Sequence, residues 1–374
     1  MIGQRWKVIR VGSERTRIRV SGASASDSAP YLWPSVGEYP VYDDYLYYAM
    51  LEDRPRNRLF REAIVQEAGR ATVVELGCGP DLLWSLFAAE SGATRVYAVE
   101  SDRQSAELAA EVARGRPYDI RVLAGEATAV SLPERADLCI AELVGNIGGA
   151  EGMAAVVADV RFRHLKPGGR VIPSFVSTRA AAICLTDLLG GRFSVRPEYV
   201  DYVESVMRAA GGLFDLRFCV AGLDRSALRT TDAPVEELRF TEGASTFPRA
   251  RLEVTTAGRI DGLLLWLNLQ CAPGQPLLDS LDTVTNWLPV YVPFAAEDLI
   301  EVDVGDVIDL ECVTTPAKDG VHPEYRFTGE LLRTDGARQP LSAESRYAGG
   351  PFRAAFLHRA LFEAPPSIES TEEL

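Results

Sequence analysis

Between Ala71 and Pro173 the chain alternates short apolar runs with helical stretches, and this alternation constrains its fold more than any other feature. Thr72-Val-Val-Glu-Leu, Arg95-Val-Tyr-Ala-Val-Glu, Ile120-Arg-Val-Leu, Ala136-Asp-Leu-Cys-Ile-Ala and Arg170-Val-Ile-Pro read as strands. Residues 81–90, 103–114 and 152–164 read as helices. Strands joined through helices of this length do not close as hairpins. They form βαβ crossovers, which predicts a doubly covered parallel sheet. After Pro173 the pattern changes to short β-rich runs separated by turns: residues 218–220, 250–255, 262–269, 288–292, 307–312 and 325–332. That is the signature of an antiparallel barrel or sandwich.

The flanks of these two regions complete the expected organisation. Residues 1–30 form an N-terminal extension, with alternating stretches at Trp6–Gly12 and Thr16–Val20 that suggest a hairpin, then a Ser/Ala-rich linker. Residues 31–66 carry apolar positions at helical spacing (Tyr47, Met50, Leu51, Leu59, Ile64), with Pro55 separating two helices or opening the second. Residues 67–175 form the parallel α/β domain and 176–364 the barrel. The less regular stretch 187–212 is an arm projecting from the barrel, and 365–374 is an acidic, disordered tail.

Composition narrows the partners. The 374 residues carry a formal charge of −14, which repels nucleic acid and attracts cations. No apolar run reaches the roughly 20 residues of a membrane span, and residues 1–10 lack a signal-peptide core. The six cysteines show no CxxC spacing and read as core thiols of a reducing cytoplasm, with no metal site. His164, His322 and His358 are scattered. All basic residues but Lys7, Lys166 and Lys318 are arginine, a skew that goes with a GC-rich bacterial genome.

Two motifs carry chemistry. Val74-Glu75-Leu76-Gly77-Cys78-Gly79-Pro80-Asp81 links a strand to a helix, and its glycines let a ligand approach the backbone. Glu100 ends the next strand, where an acid can accept both hydroxyls of a ribose. The third glycine of GxGxxG is missing, and Asp81 at the helix start would repel a pyrophosphate. A nucleoside without phosphates fits better, and S-adenosylmethionine is the common one. The second motif is Glu142 and Glu151, flanking a glycine-rich loop at the carboxyl end of the fourth strand, where such sheets place their ligands. Two carboxylates facing one pocket call for a cation between them. A guanidinium, planar and rich in donors, fits them bidentately. Clamping two of its edges aims the third nitrogen at a methyl donor, and holding the reactants in line is most of the catalysis.

The ordered set of segments resembles the protein arginine methyltransferase family over roughly residues 39 to 335. The matching stretches are Tyr39-Pro-Val-Tyr42, Met50 to Asn57, Val74–Gly79 with Glu100, Ala141 to Met153, Leu165 to Pro173 and, more weakly, Thr285-Asn286-Trp287. The resemblance implies a Rossmann-like cofactor domain under lid helices, then a β-barrel with an inserted arm that makes a homodimer. It assigns catalysis to Glu142 and Glu151, with Glu151 preferred for taking the released proton. Substrate contacts fall to Tyr39, Tyr42, Met50, Met153, Asn286 and Trp287. Cofactor contacts fall to Tyr39, Met50, Arg56, Glu75, Gly77, Cys78, Gly79, Glu100, Ser101, Glu126, Ala127 and Glu142. Aromatic faces such as Tyr39 and Tyr42 beside a sulfonium or guanidinium add about 0.5–2 kcal/mol. The family commonly has Thr-His-Trp where Asn286 replaces the histidine here. The symmetric-dimethylating branch also lacks it, and its Trp-Xaa-Pro run is echoed by Trp287-Leu288-Pro289.

The expectation is therefore methyl transfer from S-adenosylmethionine to an arginine guanidinium by a cytoplasmic homodimer. The GC-rich composition and the lack of a recognition module lean the substrate toward free L-arginine or a guanidine-bearing metabolite. Arginine in a polypeptide is the alternative, and a non-catalytic cofactor-binding homologue a further one.

Overall fold

The structure is a computed structural model that describes residues 5–11, 14–20, 30–35, 49–190, 205, 217–296 and 298–347. Tyr39 and Tyr42, most of the arm at 187–212 and the tail at 365–374 lie outside the described residues.

The chain opens with an antiparallel hairpin, β1 (Arg5–Val11) and β2 (Glu14–Val20). Next comes β3 (Tyr31–Ser35), in a stretch expected to be part of the lid helices. It pairs instead with a barrel strand 182 to 190 positions away, Tyr31 against Ala221 and Ser35 against Arg217. Helix α1 (Arg54–Glu67) follows, with Asp53 as its N-cap and Pro55 in its first turn, so the proline opens this helix.

The α/β domain alternates β4 (Thr72–Leu76), α2 (Leu83–Glu90), β5 (Arg95–Glu100), α3 (Arg103–Arg114), β6 (Ile120–Ala124), β7 (Ala136–Ala141), α4 (Met153–Arg163) and β8 (Leu165–Ile172). The five strands are all parallel, in the order β6-β5-β4-β7-β8. The order reverses at β4, so the crevice for a ligand opens at the carboxyl ends of β4, β5 and β7. All five residues of β4 are buried, as a central parallel strand requires. Leu59, Phe60, Ala63 and Ile64 of α1 pack onto this domain, with the Phe60 ring stacked 5.0 Å from Trp84.

The second half is antiparallel: β9 (Phe175–Ile183), β10 (Arg217–Ala221), β11 (Ala233–Arg239), β12 (Ala244–Thr246), β13 (Ala250–Glu253), β14 (Gly258–Ile260), β15 (Gly262–Gln270), β16 (Leu278–Asp279), β17 (Val290–Pro293), β18 (Ile300–Val302), β19 (Val307–Pro316), β20 (Pro323–Leu332) and β21 (Arg338–Ser345). One sheet runs β12-β11-β9-β15-β17-β10-β3 and a second runs β13-β19-β20-β21. They enclose a core of Leu263, Leu265, Val292, Ile308, Leu310, Phe327 and Leu331. Ile147 and Ala150, from the loop after β7, are fully buried in that same core. The loop bearing the two glutamates is thus plugged into the barrel. All six cysteines are buried, in keeping with core thiols.

Candidate active site

The glycine turn sits at the reversal point of the sheet. Gly77 and Gly79 have φ of 69° and 63°, a region that favours glycine. The N–H groups of Gly77 and Cys78 both donate to Val99 O, at 2.9 and 3.0 Å, which fastens the turn to β5. Cys78 itself packs among Leu82, Ala98, Ala109 and Ala113, so a ligand would meet its backbone and not its thiol. Glu100, at the end of β5, accepts from Gly79 N and Asp102 N, each at 2.9 Å. Burial raises its pKa, and those N–H groups pull it back.

Glu75, expected among the cofactor contacts, is buried beside the glycine turn. It is 1% exposed and accepts from the Ser85 hydroxyl at the start of α2. Burial pushes its pKa up to about 8. Ser101 and Glu126 are exposed and Ala127 is half-buried, flanking the crevice in the loops after β5 and β6.

The carboxyl end of β7 brings the remaining expectations together. Glu142 accepts from Nη2 of Arg56, which is 3% exposed. Burial raises the Glu142 pKa and the Arg56 guanidinium opposes that rise. Arg56, expected to face the cofactor's carboxylate, is paired with a catalytic candidate, because a buried cation and a half-buried carboxylate this close satisfy each other. Its Nη1 donates to Asn57 Oδ1 at 2.8 Å and to Met50 O at 3.3 Å. The guanidinium carbon lies 5.5 Å from the Trp84 ring, 5.8 Å from Phe60 and 5.9 Å from Trp287. This is an aromatic surround suited to a cation.

Glu151 is half-buried at the far end of the loop, just before Gly152 and α4. Met153, expected to touch substrate, is fully buried in the core of the α/β domain, because the first turn of α4 points it inward. Trp287 closes the barrel side: its indole N–H donates to Val144 O at 2.8 Å. Asn286 donates through its backbone N–H to Asp53 Oδ2 at 2.7 Å, while its Nδ2 is buried with no hydrogen bond. Asp53 also accepts from Arg56 N at 3.0 Å, so one carboxylate ties α1 to the Asn286–Trp287 loop.

Sequence reasoning had not given Asp53, Asn57, Phe60 or Trp84 a role in the site. Asp53 carries a readable signal, an acid two residues before a proline at a helix start. The two aromatic residues carry no such signal.

A nucleoside with an amino-acid tail fits these residues. The turn carries glycines where the backbone must be approached, Glu100 stands at the ribose position, and Arg56 keeps a buried Nε with no hydrogen bond.

The reversal point and the sheet order define the class: a Rossmann-like α/β domain joined to an antiparallel β-barrel. A family model described as "Methyltransferase domain" matches residues 74–172. Probable protein arginine N-methyltransferase 6 of Arabidopsis thaliana is 37% identical over 142 residues, covering 37% of this chain and 32% of that protein. Protein arginine N-methyltransferase 1 of Chlamydomonas reinhardtii is 32% identical over 162 residues, covering 42% of this chain and 45% of that protein. The matched stretch thus spans less than half of these curated relatives. In fold, the chain is similar to protein arginine methyltransferase 10 of Arabidopsis thaliana, with a TM-score of 0.63 and 20% identity, covering 80% of this chain and 97% of that one. A Trypanosoma brucei PRMT1 enzyme–prozyme complex with AdoHcy gives the same TM-score and identity, covering 98% of that chain. On these matches residues 74–172 form a methyltransferase domain, and the chain is similar to protein arginine N-methyltransferases over part of its length.

Proposed function

We propose that this protein methylates arginine side chains in a polypeptide, using S-adenosylmethionine. The observation that carries the reading is the loop that bears Glu142 and Glu151 at the carboxyl end of β7, with Ile147 and Ala150 seated in the barrel core between them. A loop built this way suits the guanidinium of a substrate.

The cofactor supplies an electrophilic sulfonium methyl. The chain's own groups do the rest. Gly77 to Gly79 admit the nucleoside, Glu100 takes the ribose hydroxyls, and Arg56 takes the carboxylate of the methionine portion through its unpaired Nε while Nη2 stays with Glu142. Glu142 and Glu151 orient the guanidinium and spread its charge away from the attacking nitrogen. A guanidinium holds its protons up to about pH 12 in water, so a carboxylate must receive one as the new N–C bond forms. The raised pKa of Glu142 makes it a better acceptor than a solvated carboxylate.

The named relatives are protein arginine methyltransferases, which favours a polypeptide over the free L-arginine toward which composition leans. The same reading takes the protein to act as a homodimer in the cytoplasm. Mass spectrometry after incubation with an Arg/Gly-rich peptide beside free L-arginine tests it. Methylated peptide is expected, and methylation of free arginine alone would overturn the choice of substrate.

A further inference from the structure

The loop between the two glutamates is held by the barrel through one buried carboxylate. Gly149 N donates to Glu236 Oε2 at 3.1 Å. Gly148 N donates to Thr178 Oγ1 at 3.0 Å, and that hydroxyl donates in turn to Glu236 Oε2 at 2.6 Å. The Tyr325 hydroxyl donates to Glu236 Oε1 at 3.0 Å. Glu236 is 2% exposed, Thr178 0% and Tyr325 2%, so these bonds run in a dry interior.

The glycine pair exists because of this approach. A Cβ at position 148 would sit 2.6 Å from Val176 Cγ1. One at position 149 would sit 2.6 Å from Glu236 Oε1 and 2.9 Å from the Tyr325 oxygen. Side chains there would push the loop off β9 and β11. Burying a carboxylate is costly, and an apolar residue would pack a barrel core more cheaply. The bonds of Glu236 end on the backbone two and three residues before Glu151, and Ile147 and Ala150 on either side are locked into the barrel core.

We propose that Glu236 is a positioning residue: from the barrel it fixes the Gly148–Gly149 backbone, and with it the placement of Glu142 and Glu151 around a guanidinium. The inference rests on the reading that these two glutamates hold an arginine substrate. It makes the barrel part of the active-site geometry and not only a platform for substrate.

The test compares Glu236→Ala, Glu236→Gln, Thr178→Val and Gly149→Ala with wild type. Two readouts are used: hydrogen–deuterium exchange over residues 142–152, and kinetics on an Arg/Gly-rich peptide with cofactor affinity measured by calorimetry. Glu236→Gln keeps an oxygen for Gly149 and Thr178, and the Tyr325 hydroxyl can turn to accept from the amide. Its exchange and turnover should stay close to wild type. Glu236→Ala should speed exchange in the loop and lower kcat/KM about 10- to 100-fold, the scale of a misplacement near 1 Å, while cofactor affinity holds. Gly149→Ala and Thr178→Val should act in the same direction, and they carry the test if Glu236→Ala does not fold. If Glu236 works through Gly149, the double variant costs no more than its worse single change. Unchanged loop exchange in Glu236→Ala, faster exchange with unaltered kcat/KM, or fully additive costs would each overturn the proposal. A wild type that methylates no arginine substrate would instead sink the functional reading, and loop exchange alone would then decide whether Glu236 fixes the loop.

Discussion

Asp53 joins two parts of the site that are far apart in sequence, and replacing it with alanine should be expensive. Its Oδ1 accepts from Arg56 N at 3.0 Å as the N-cap of α1, and its Oδ2 accepts from Asn286 N at 2.7 Å. Loss of an N-cap costs about 0.5–2 kcal/mol. Leaving the Asn286 N–H without its charged acceptor adds about 1–3 kcal/mol, since Asp53 is only 6% exposed. The sum is about 1.5–5 kcal/mol, which at roughly 2–4 °C per kcal/mol for a unit of about 150–250 residues lowers Tm by about 3–20 °C. Asn is as good a cap as Asp, so Asp53→Asn should lose less than Asp53→Ala, keeping the cap and giving up only the charge toward Asn286. Thermal melts of the three proteins, followed by circular dichroism, measure this directly. A Tm for Asp53→Ala within about 2 °C of wild type would refute the idea that this carboxylate ties α1 to the barrel loop.

Three further outcomes follow from the site. Glu100→Ala removes the acceptor for Gly79 N and Asp102 N and the expected ribose contact. Cofactor affinity by calorimetry should fall at least about 10-fold, worth about 1.4 kcal/mol, and an unchanged Kd would place the nucleoside elsewhere. Glu75 keeps its proton in the fold up to about pH 8 but releases it near pH 4.5 when exposed. Its contribution to stability is therefore full at low pH and declines as pH rises through that window. Glu75→Gln should flatten the fall of Tm over this range, and an identical slope in both proteins would contradict the assignment. Burial raises the Glu142 pKa, so kcat/KM should climb with pH and level off above the point an ordinary glutamate would set, near pH 4.3. A plateau already complete at about pH 5 would count against it.

Much of the architecture was legible because it rests on local signals. The alternation from Thr72 to Ile172, the glycine turn at Gly77 and Gly79, and the acid at Glu100 follow from periodicity and turn chemistry. So does the opening of α1 at Pro55. What escaped depends on partners distant in sequence. Tyr-Leu-Trp-Pro-Ser gives no strong strand signal, and β3 exists because β10 offers it an edge. The Leu165–Gly169 stretch reads as a turn by its proline and glycines, yet it lies within β8. The pairing of Arg56 with Glu142 spans 86 positions and that of Gly149 with Glu236 spans 87. No spacing rule joins residues so far apart. Met153 was placed by motif alone, and the helical phase of α4 turned it into the core.

The central claim is that Glu142 and Glu151 hold an arginine guanidinium. The most direct measurement is kcat/KM on an Arg/Gly-rich peptide for Glu142→Gln and Glu151→Gln, each of which keeps the side chain's shape and removes one charge. Losing one partner of a buried charge pair costs about 2–5 kcal/mol. The account predicts a fall of roughly one and a half to three and a half orders of magnitude for each variant, with cofactor affinity nearly unchanged for Glu151→Gln, which does not touch Arg56. Near-wild-type turnover in both would contradict it.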